Sequence, residues 1–205
     1  MKKLLVATRN QGKLKEISKF LFDLKLDLVS LNDLGIDDDF EEKGKTYKEN
    51  SQNKALFYAK LSGLPSISDD GGIEIDALGG APGVKSRRWI GEDSTDRKII
   101  NHMKKVTQAL PENNRKAYFK TVVSLAFSNG KVFSATGEIE GIIARKPLVK
   151  ILKGYPYRSF FYLPKIKKYY HENNLSEEEE KLYNHRYKAI QKLKPIIKKE
   201  LRIMI

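Results

Sequence analysis

The chain has 205 residues, 40% of them hydrophobic, and no cysteine. That length supports one large domain or two small lobes around a buried core, and the lack of cysteine excludes disulfides and thiolate metal sites while fitting a reducing cytoplasm, the expected location. The net charge is +13, and neither the N-terminal stretch 1–7 nor any other apolar run is long enough for a signal peptide or a membrane span.

Taken in chain order, residues 3–8 read as a short strand ending in the polar turn Arg9-Asn10-Gln11-Gly12. A helix follows with Leu14, Ile17, Phe20, Leu21 and Leu24 on one face, and residues 26–31 read as a second strand. Gly35 to Gly44 is an acidic loop, and Thr46-Tyr47-Lys48-Glu49 is a capping box that opens a helix to about Leu61. Pro65 to Leu78, with Asp69-Asp70-Gly71-Gly72 in its middle, reads as strand, turn, strand. A glycine-rich loop at 79–83 precedes a helix expected from Asp93 to about Val106. Tyr118 to Phe127 and Val132 to Ile143 are β-rich and joined through Asn129-Gly130, a strong hairpin signal. Residues 153–164 carry Tyr155, Tyr157, Phe160, Phe161 and Tyr162 with two prolines, and read as a loop and short strand over a pocket. Ser176 to Glu179 is a second capping box, and a final helix starts near Asn184 with Pro195 interrupting it. The pattern predicts an α/β fold, a mixed sheet with flanking helices, in two lobes around a central substrate cleft.

Three groups of residues carry chemistry. Thr8-Arg9-Asn10-Gln11-Gly12-Lys13 lies between a strand and a helix N-terminus, where free N–H groups and the helix dipole favour an anion and Lys13 adds a charge. Glu41-Glu42 and Asp69-Asp70 are paired carboxylates of the kind that hold Mg²⁺ and activate water. Asn50 and Lys54 share one helix face, so Lys54 is placed to reach a phosphate, whereas Glu49 is already used by the capping box. The aromatics of 155–162 offer a stacking platform for a base or simply a core, and Asn184-His185-Arg186 opens the last helix. The three histidines lack metal-ligand spacing. The stretch 146–205 holds 15 basic and 6 acidic residues, a surface for polyanions or a solvated lysine-rich face.

The order of these motifs is more specific than any one of them. Thr8-x-Asn10-x-x-Lys13, Glu41-Glu42-x-Gly44-x-Thr46-x-x-Glu49-Asn50-x-x-x-Lys54, the block from Asp69 to Gly83, and Asn184-His185-Arg186 together resemble the inosine triphosphate pyrophosphatase family across nearly the whole chain. The resemblance implies an elongated α/β fold, a homodimer and Mg²⁺. It also implies hydrolysis of purine nucleoside triphosphates such as ITP, dITP and XTP to the monophosphate and pyrophosphate. It places the catalytic base at Asp70, which also serves the metal. Glu41 is the metal-binding acid, and Asp69 is a neighbouring acid of that site. Phosphate contacts fall at Thr8, Asn10, Lys13 and Lys54, and base recognition at His185 and Arg186.

The sequence departs from the family pattern at five places. Arg9 and Gly71 replace a glycine and a serine that line the substrate, and Asn184 replaces a serine. In the base pocket, Tyr155-Pro156-Tyr157-Arg158 puts an arginine where the family has an acid. Glu180 takes the place of a lysine, with Lys181 one step later. The substrate set therefore includes Arg9, Gly71, Tyr155, Tyr157, Arg158 and Lys181. Two alternatives follow: the same chemistry with altered base preference, through Arg158 and Glu180, or a nucleotide- or nucleic-acid-binding protein without turnover.

Overall fold

The computed structural model describes residues 1–91, 94–148, 152–171 and 174–203. Its elements are β1 (Lys3–Val6), α1 (Gln11–Leu21), β2 (Asp27–Ser30), α2 (Tyr47–Ser62), β3 (Ser66–Ile75), α3 (Asp96–Ala109), β4 (Lys116–Ala126), β5 (Val132–Ile143), β6 (Phe161–Leu163), β7 (Lys168–Tyr169), α4 (Glu177–Tyr183) and α5 (His185–Leu201). The strands form one sheet in the order β2-β1-β3-β4-β5-β6-β7. β1 runs parallel to β2 and β3, while β6 is antiparallel to both β5 and β7, so the sheet is mixed, as expected. Two compact units divide the chain. The first comprises Met1–Asp70, Thr121–Gly137 and Arg186–Ile205, and the second Gly71–Lys120 and Glu138–His185.

In the first unit the alternation of β1 sorts its side chains into two layers. Leu4 and Val6 pack with Ile17, Phe20 and Leu21 of α1, Ala189, Ile190, Leu193 and Ile197 of α5, and Ile67 of β3. Leu5 and Ala7 pack instead with Leu31 and with Tyr58 of α2. The sheet is thus the middle layer, with α1 and α5 on one face and α2 on the other. Asn10 caps α1, its Oδ1 accepting from the Gly12 and Lys13 N–H groups. The α1 helix stops at Leu21 rather than Leu24; residues 22–24 form a single 3-10 turn that still buries Leu24. The Thr46–Glu49 capping box opens α2 as predicted, and Gly63 closes it at φ +70. Pro195 does not interrupt α5, which continues to Leu201. Burial of Leu193, Ile197 and Leu201 on both sides of the proline outweighs its missing backbone hydrogen bond.

The largest correction concerns residues 66–78. They form one strand, β3, followed by a 3-10 turn at Asp76–Leu78, so Asp69-Asp70-Gly71-Gly72 lies mid-strand and makes no turn. Neither glycine has a positive φ. Gly72 is needed for close approach, because a Cβ there would sit 2.1 Å from Ser86 Oγ and 2.6 Å from the Gly83 carbonyl.

The second unit has its own core, which joins Ile73 and Ile75 of β3, Ile99, Ile100 and Met103 of α3, Phe119 of β4, and Tyr157, Phe160, Phe161 and Tyr170. The α3 helix begins at Asp96 behind the Thr95 cap; Asp93, where the sequence suggested it starts, lies outside the described residues. The β4–β5 turn forms where Asn129-Gly130 predicted it, with Gly130 at φ +92 and Asn129 Oδ1 accepting from the Lys131 N–H at 3.1 Å. Among the described residues no helix is long and apolar enough to cross a membrane.

Candidate active site

Three of the four acids that the sequence singled out, Glu42, Asp69 and Asp70, meet in the first unit. β3 carries Asp69 and Asp70, both buried, with side chains that alternate across the sheet. Asp69 turns toward the α1 and α5 layer. Its Oδ2 accepts from Arg186 Nε at 3.0 Å and Nη2 at 2.8 Å, and Lys13 Nζ lies 3.2 Å away. Asp69 Oδ1 is buried with no hydrogen-bond partner among the described residues. Asp70 turns toward α2, where Asn50 Nδ2 donates to its Oδ2 at 2.9 Å. The Asn50 amide has one orientation, because its Oδ1 accepts the Gly44 N–H at 2.7 Å. Thr121 Oγ1 donates to the Asp70 carbonyl at 3.0 Å and fixes the strand there.

Lys54, buried on α2, donates to Glu42 Oε1 at 2.5 Å and to the Asp69 carbonyl at 2.7 Å. The neighbour Glu41 does not join this group. Its side chain is 71% exposed and pairs with Lys43. The acid of the Glu41-Glu42 pair that reaches the cluster is therefore Glu42, because the loop turns alternate side chains to opposite sides and Lys54 takes the inner one.

These surroundings push the two adjacent aspartates apart. Burial acts to protonate Asp69, but Arg186, Lys13 and Lys54 overcome it and keep its carboxyl ionised far below the usual range. Asp70 is raised to about 6, first by burial and then by the Glu42 charge, against the opposing pull of Lys13, Lys54 and Asn50. Burial also acts to protonate Glu42, yet Lys54 and Lys13 hold it ionised. One aspartate is thus a fixed anion and the other a proton acceptor poised near neutrality, the division of labour that hydrolytic sites use.

Among the described residues no three His, Asp or Glu side chains form a ready-made metal cage. Lys13, Lys54 and Arg186 face Glu16, Glu42, Asp69 and Asp70 among the described residues, so with Asp70 ionised these carboxylates outnumber these cations. A polyanionic phosphate chain entering such a group requires added positive charge. The available donors are hard carboxylate oxygens, which suit Mg²⁺ completed by water and phosphate oxygens. The residues fit the group.

The second unit holds all of the residues expected at the base except Arg186. Arg158 is 1% exposed, and its guanidinium lies 3.8 Å from the Tyr155 ring centroid and 4.5 Å from that of Tyr170. Tyr170 Oη is 3.0 Å from His185 Nδ1, and His185 stacks on Phe119 with centroids 5.3 Å apart. Tyr157 is core: its hydroxyl donates to the Ser86 carbonyl at 2.6 Å, and burial pushes its pKa up. Tyr155 has one face engaged by the Arg158 guanidinium, whereas Phe160 and Phe161 belong to the core of this unit.

A model of the Ham1 family matches residues 4–196. The chain belongs to the Ham1 family. It is 38% identical over 195 residues to a protein of Shigella flexneri named dITP/XTP pyrophosphatase, covering 94% of this chain and 96% of that one. It is 35% identical to another of that name from Desulforamulus reducens, covering 95% of each. Among solved structures, a HAM1 protein from Coxiella burnetii superposes with a TM-score of 0.81 at 32% identity, covering 97% of this chain and 100% of that chain.

Within this Ham1-family chain Thr8, Asn10, Lys13 and Lys54, the residues expected at the phosphate, all lie in the first unit. Thr8 is buried, and its Oγ1 accepts the Asn10 N–H at 3.2 Å, while Lys13 and Lys54 stand in the carboxylate cluster. Arg9 is exposed, lacks a positive φ, and is held by the acidic loop through the Ile36 and Asp38 carbonyls and Asp39. It serves that loop and carries no backbone strain. Arg186, expected at the base, spends its fork on Asp69 and Glu16 in the first unit. Lys181 is exposed on α4, Glu180 half-buried beside it, and Gly71 lies mid-strand in β3. In the basic C-terminal stretch, Lys192 donates to the Thr136 carbonyl and Lys194 pairs with Asp23. The residues that sequence reasoning passed over are Glu16 and Thr121; Glu42 was named only as half of a carboxylate pair, and Asn50 only as the helix-face neighbour of Lys54. Only Glu16 left a visible mark, an acid on the buried stripe of α1 beside Ile17, Phe20 and Leu21.

Proposed function

We propose that this chain hydrolyses deaminated purine nucleoside triphosphates, ITP, dITP and XTP, to the monophosphate and pyrophosphate with Mg²⁺. The observation that carries the reading is the split between adjacent buried carboxylates, Asp69 held ionised and Asp70 raised to about 6 beside Lys13, Lys54 and Glu42. The names of the Shigella and Desulforamulus relatives support the substrate class. Glu42 and Asp70 would hold the metal, with Asp69 Oδ1 as a neighbouring donor. When bound, Mg²⁺ supplies the positive charge that the cluster lacks. Asp70 takes a proton from water as the water oxygen attacks the α-phosphorus, and the bond to the β-phosphate oxygen breaks with pyrophosphate as leaving group. Asn50 orients the Asp70 carboxylate for that transfer. Lys13 and Lys54 bind phosphate oxygens, and Thr8 and Asn10 shape the turn at the α1 N-terminus that receives them. We assign base preference to Arg158 with Tyr155, His185 and Glu180.

Both compact units belong to one catalytic domain in this reading, and the chain acts as a cytoplasmic homodimer, in line with the family resemblance. A panel of NTPs and dNTPs with Mg²⁺, with pyrophosphate and orthophosphate measured separately, tests the central claim. Pyrophosphate should appear, fastest with ITP, dITP or XTP. Release of orthophosphate alone would contradict cleavage at the α-phosphorus.

A further inference from the structure

We infer that Glu16 is a positioning residue for the hydrolysis proposed above: through Arg186 it fixes the orientation of the Asp69 carboxylate. The inference rests on that reading for its consequence, but on geometry for its mechanism. Glu16 is an 8% exposed acid on a helix face otherwise made of Ile17, Phe20 and Leu21. Burying a carboxylate there is costly unless it is paired, so packing does not account for it. Its partner is Arg186 Nη1. The other arm of the guanidinium, Nε and Nη2, converges on a single oxygen, Asp69 Oδ2.

A fork that grips one oxygen is a pivot, because the guanidinium can swing about that point. A second held point fixes its plane, and Glu16 supplies one at Nη1. The plane matters because Asp69 Oδ2 also meets Lys13, while Oδ1 is buried with no hydrogen bond among the described residues. If Arg186 swings, no hydrogen bond among the described residues holds the carboxylate on its Oδ1 side, and the two oxygens lose the contacts that distinguish them. Lys13 then loses its fixed anion. Glu16 reaches Asp69 through Arg186. It should therefore act on turnover more than on nucleotide binding.

The test is steady-state kinetics with ITP and Mg²⁺ on wild type, Glu16→Ala, Glu16→Gln, Glu16→Asp, Arg186→Ala and the Glu16→Ala/Arg186→Ala double variant. Glu16→Ala should lower kcat at least about tenfold, the scale at which second-layer groups act, with KM changed less than about threefold. Glu16→Gln keeps an acceptor at the same reach and should retain more kcat than Glu16→Asp, which keeps the charge but withdraws it by a methylene. In the Arg186→Ala background Glu16→Ala should add less than about twofold, since the path is already cut. The inference is overturned if Glu16→Ala lowers kcat by the same factor with and without Arg186, or if it lowers Tm and leaves kcat alone. It is equally overturned if Asp outperforms Gln, a comparison that stands even if the alanine variant does not fold. Should the wild type release no pyrophosphate from any nucleotide, the functional reading fails, and a crystal structure of Glu16→Gln or Glu16→Asp decides the positional claim. Asp69 turned in the aspartate variant and unmoved in the glutamine variant upholds it. Asp69 unmoved in both overturns it.

Discussion

Asp70→Asn should make the protein more stable and nearly inactive. The folded state raises the Asp70 carboxyl from 3.8 to about 6. A group whose pKa is higher folded than unfolded stabilises below its unfolded pKa, and that stability is lost as pH rises through the folded value. At pH 7.5, above both values, the ionised carboxylate therefore costs the fold about 3 kcal/mol. Asparagine removes that cost, and its side-chain oxygen still accepts from Asn50 Nδ2. Denaturant unfolding without Mg²⁺ should show Asp70→Asn more stable by up to about 3 kcal/mol at pH 7.5, shrinking to about 1 kcal/mol at pH 4.5. The same variant should lose at least about 10²-fold in kcat, the usual effect of removing a general base. A variant no more stable than wild type at pH 7.5, or a gain that does not shrink with acid, would refute the claim that burial and Glu42 hold Asp70 near neutrality.

Glu42→Gln should raise the Mg²⁺ concentration for half-maximal rate severalfold, while Glu41→Gln leaves it unchanged; the reverse result would return the metal role to Glu41. Gly72→Ala should destabilise the protein by about 1–3 kcal/mol, because the added methyl meets Ser86 Oγ and the Gly83 carbonyl, and a thermal melt within 1 °C of wild type would contradict the close approach. Arg158→Ala should lower kcat/KM for ITP more than for ATP, with about 1–3 kcal/mol of discrimination lost by analogy with a bidentate base contact; an unchanged ITP-to-ATP ratio removes Arg158 from base recognition.

The elements that sequence reasoning located well are those whose signals are local. The Thr46–Glu49 and Ser176–Glu179 capping boxes and the Asn129-Gly130 turn are written in adjacent residues and appear in the structure where they were read. Asp69-Asp70-Gly71-Gly72 was misread as a turn for an equally local reason, since glycine pairs usually mark turns. What Gly72 answers is the approach of Ser86, fourteen residues on, and no pattern in its neighbourhood announces that. The same limit separates Glu41 from Glu42. The two are chemically alike, and only Lys54 on α2 decides which one is drawn inward. Arg186 was assigned to the nucleotide base by its motif, whereas its partners Asp69 and Glu16 lie more than a hundred residues away in sequence.

The continuity of β3 also constrains how this chain can change length. A strand has a period of two, so inserting or deleting one residue between Pro65 and Ser68 would carry every following side chain to the opposite face. The aspartate now gripped by Arg186 would be handed to Asn50, and the one held near neutrality would meet two cations and ionise outright. A two-residue change preserves that parity and shifts only the register. Length variation before the paired aspartates should therefore be tolerated in even steps or pushed back into the loop before Pro65, and a scan of single-residue deletions along this strand would locate where that tolerance begins.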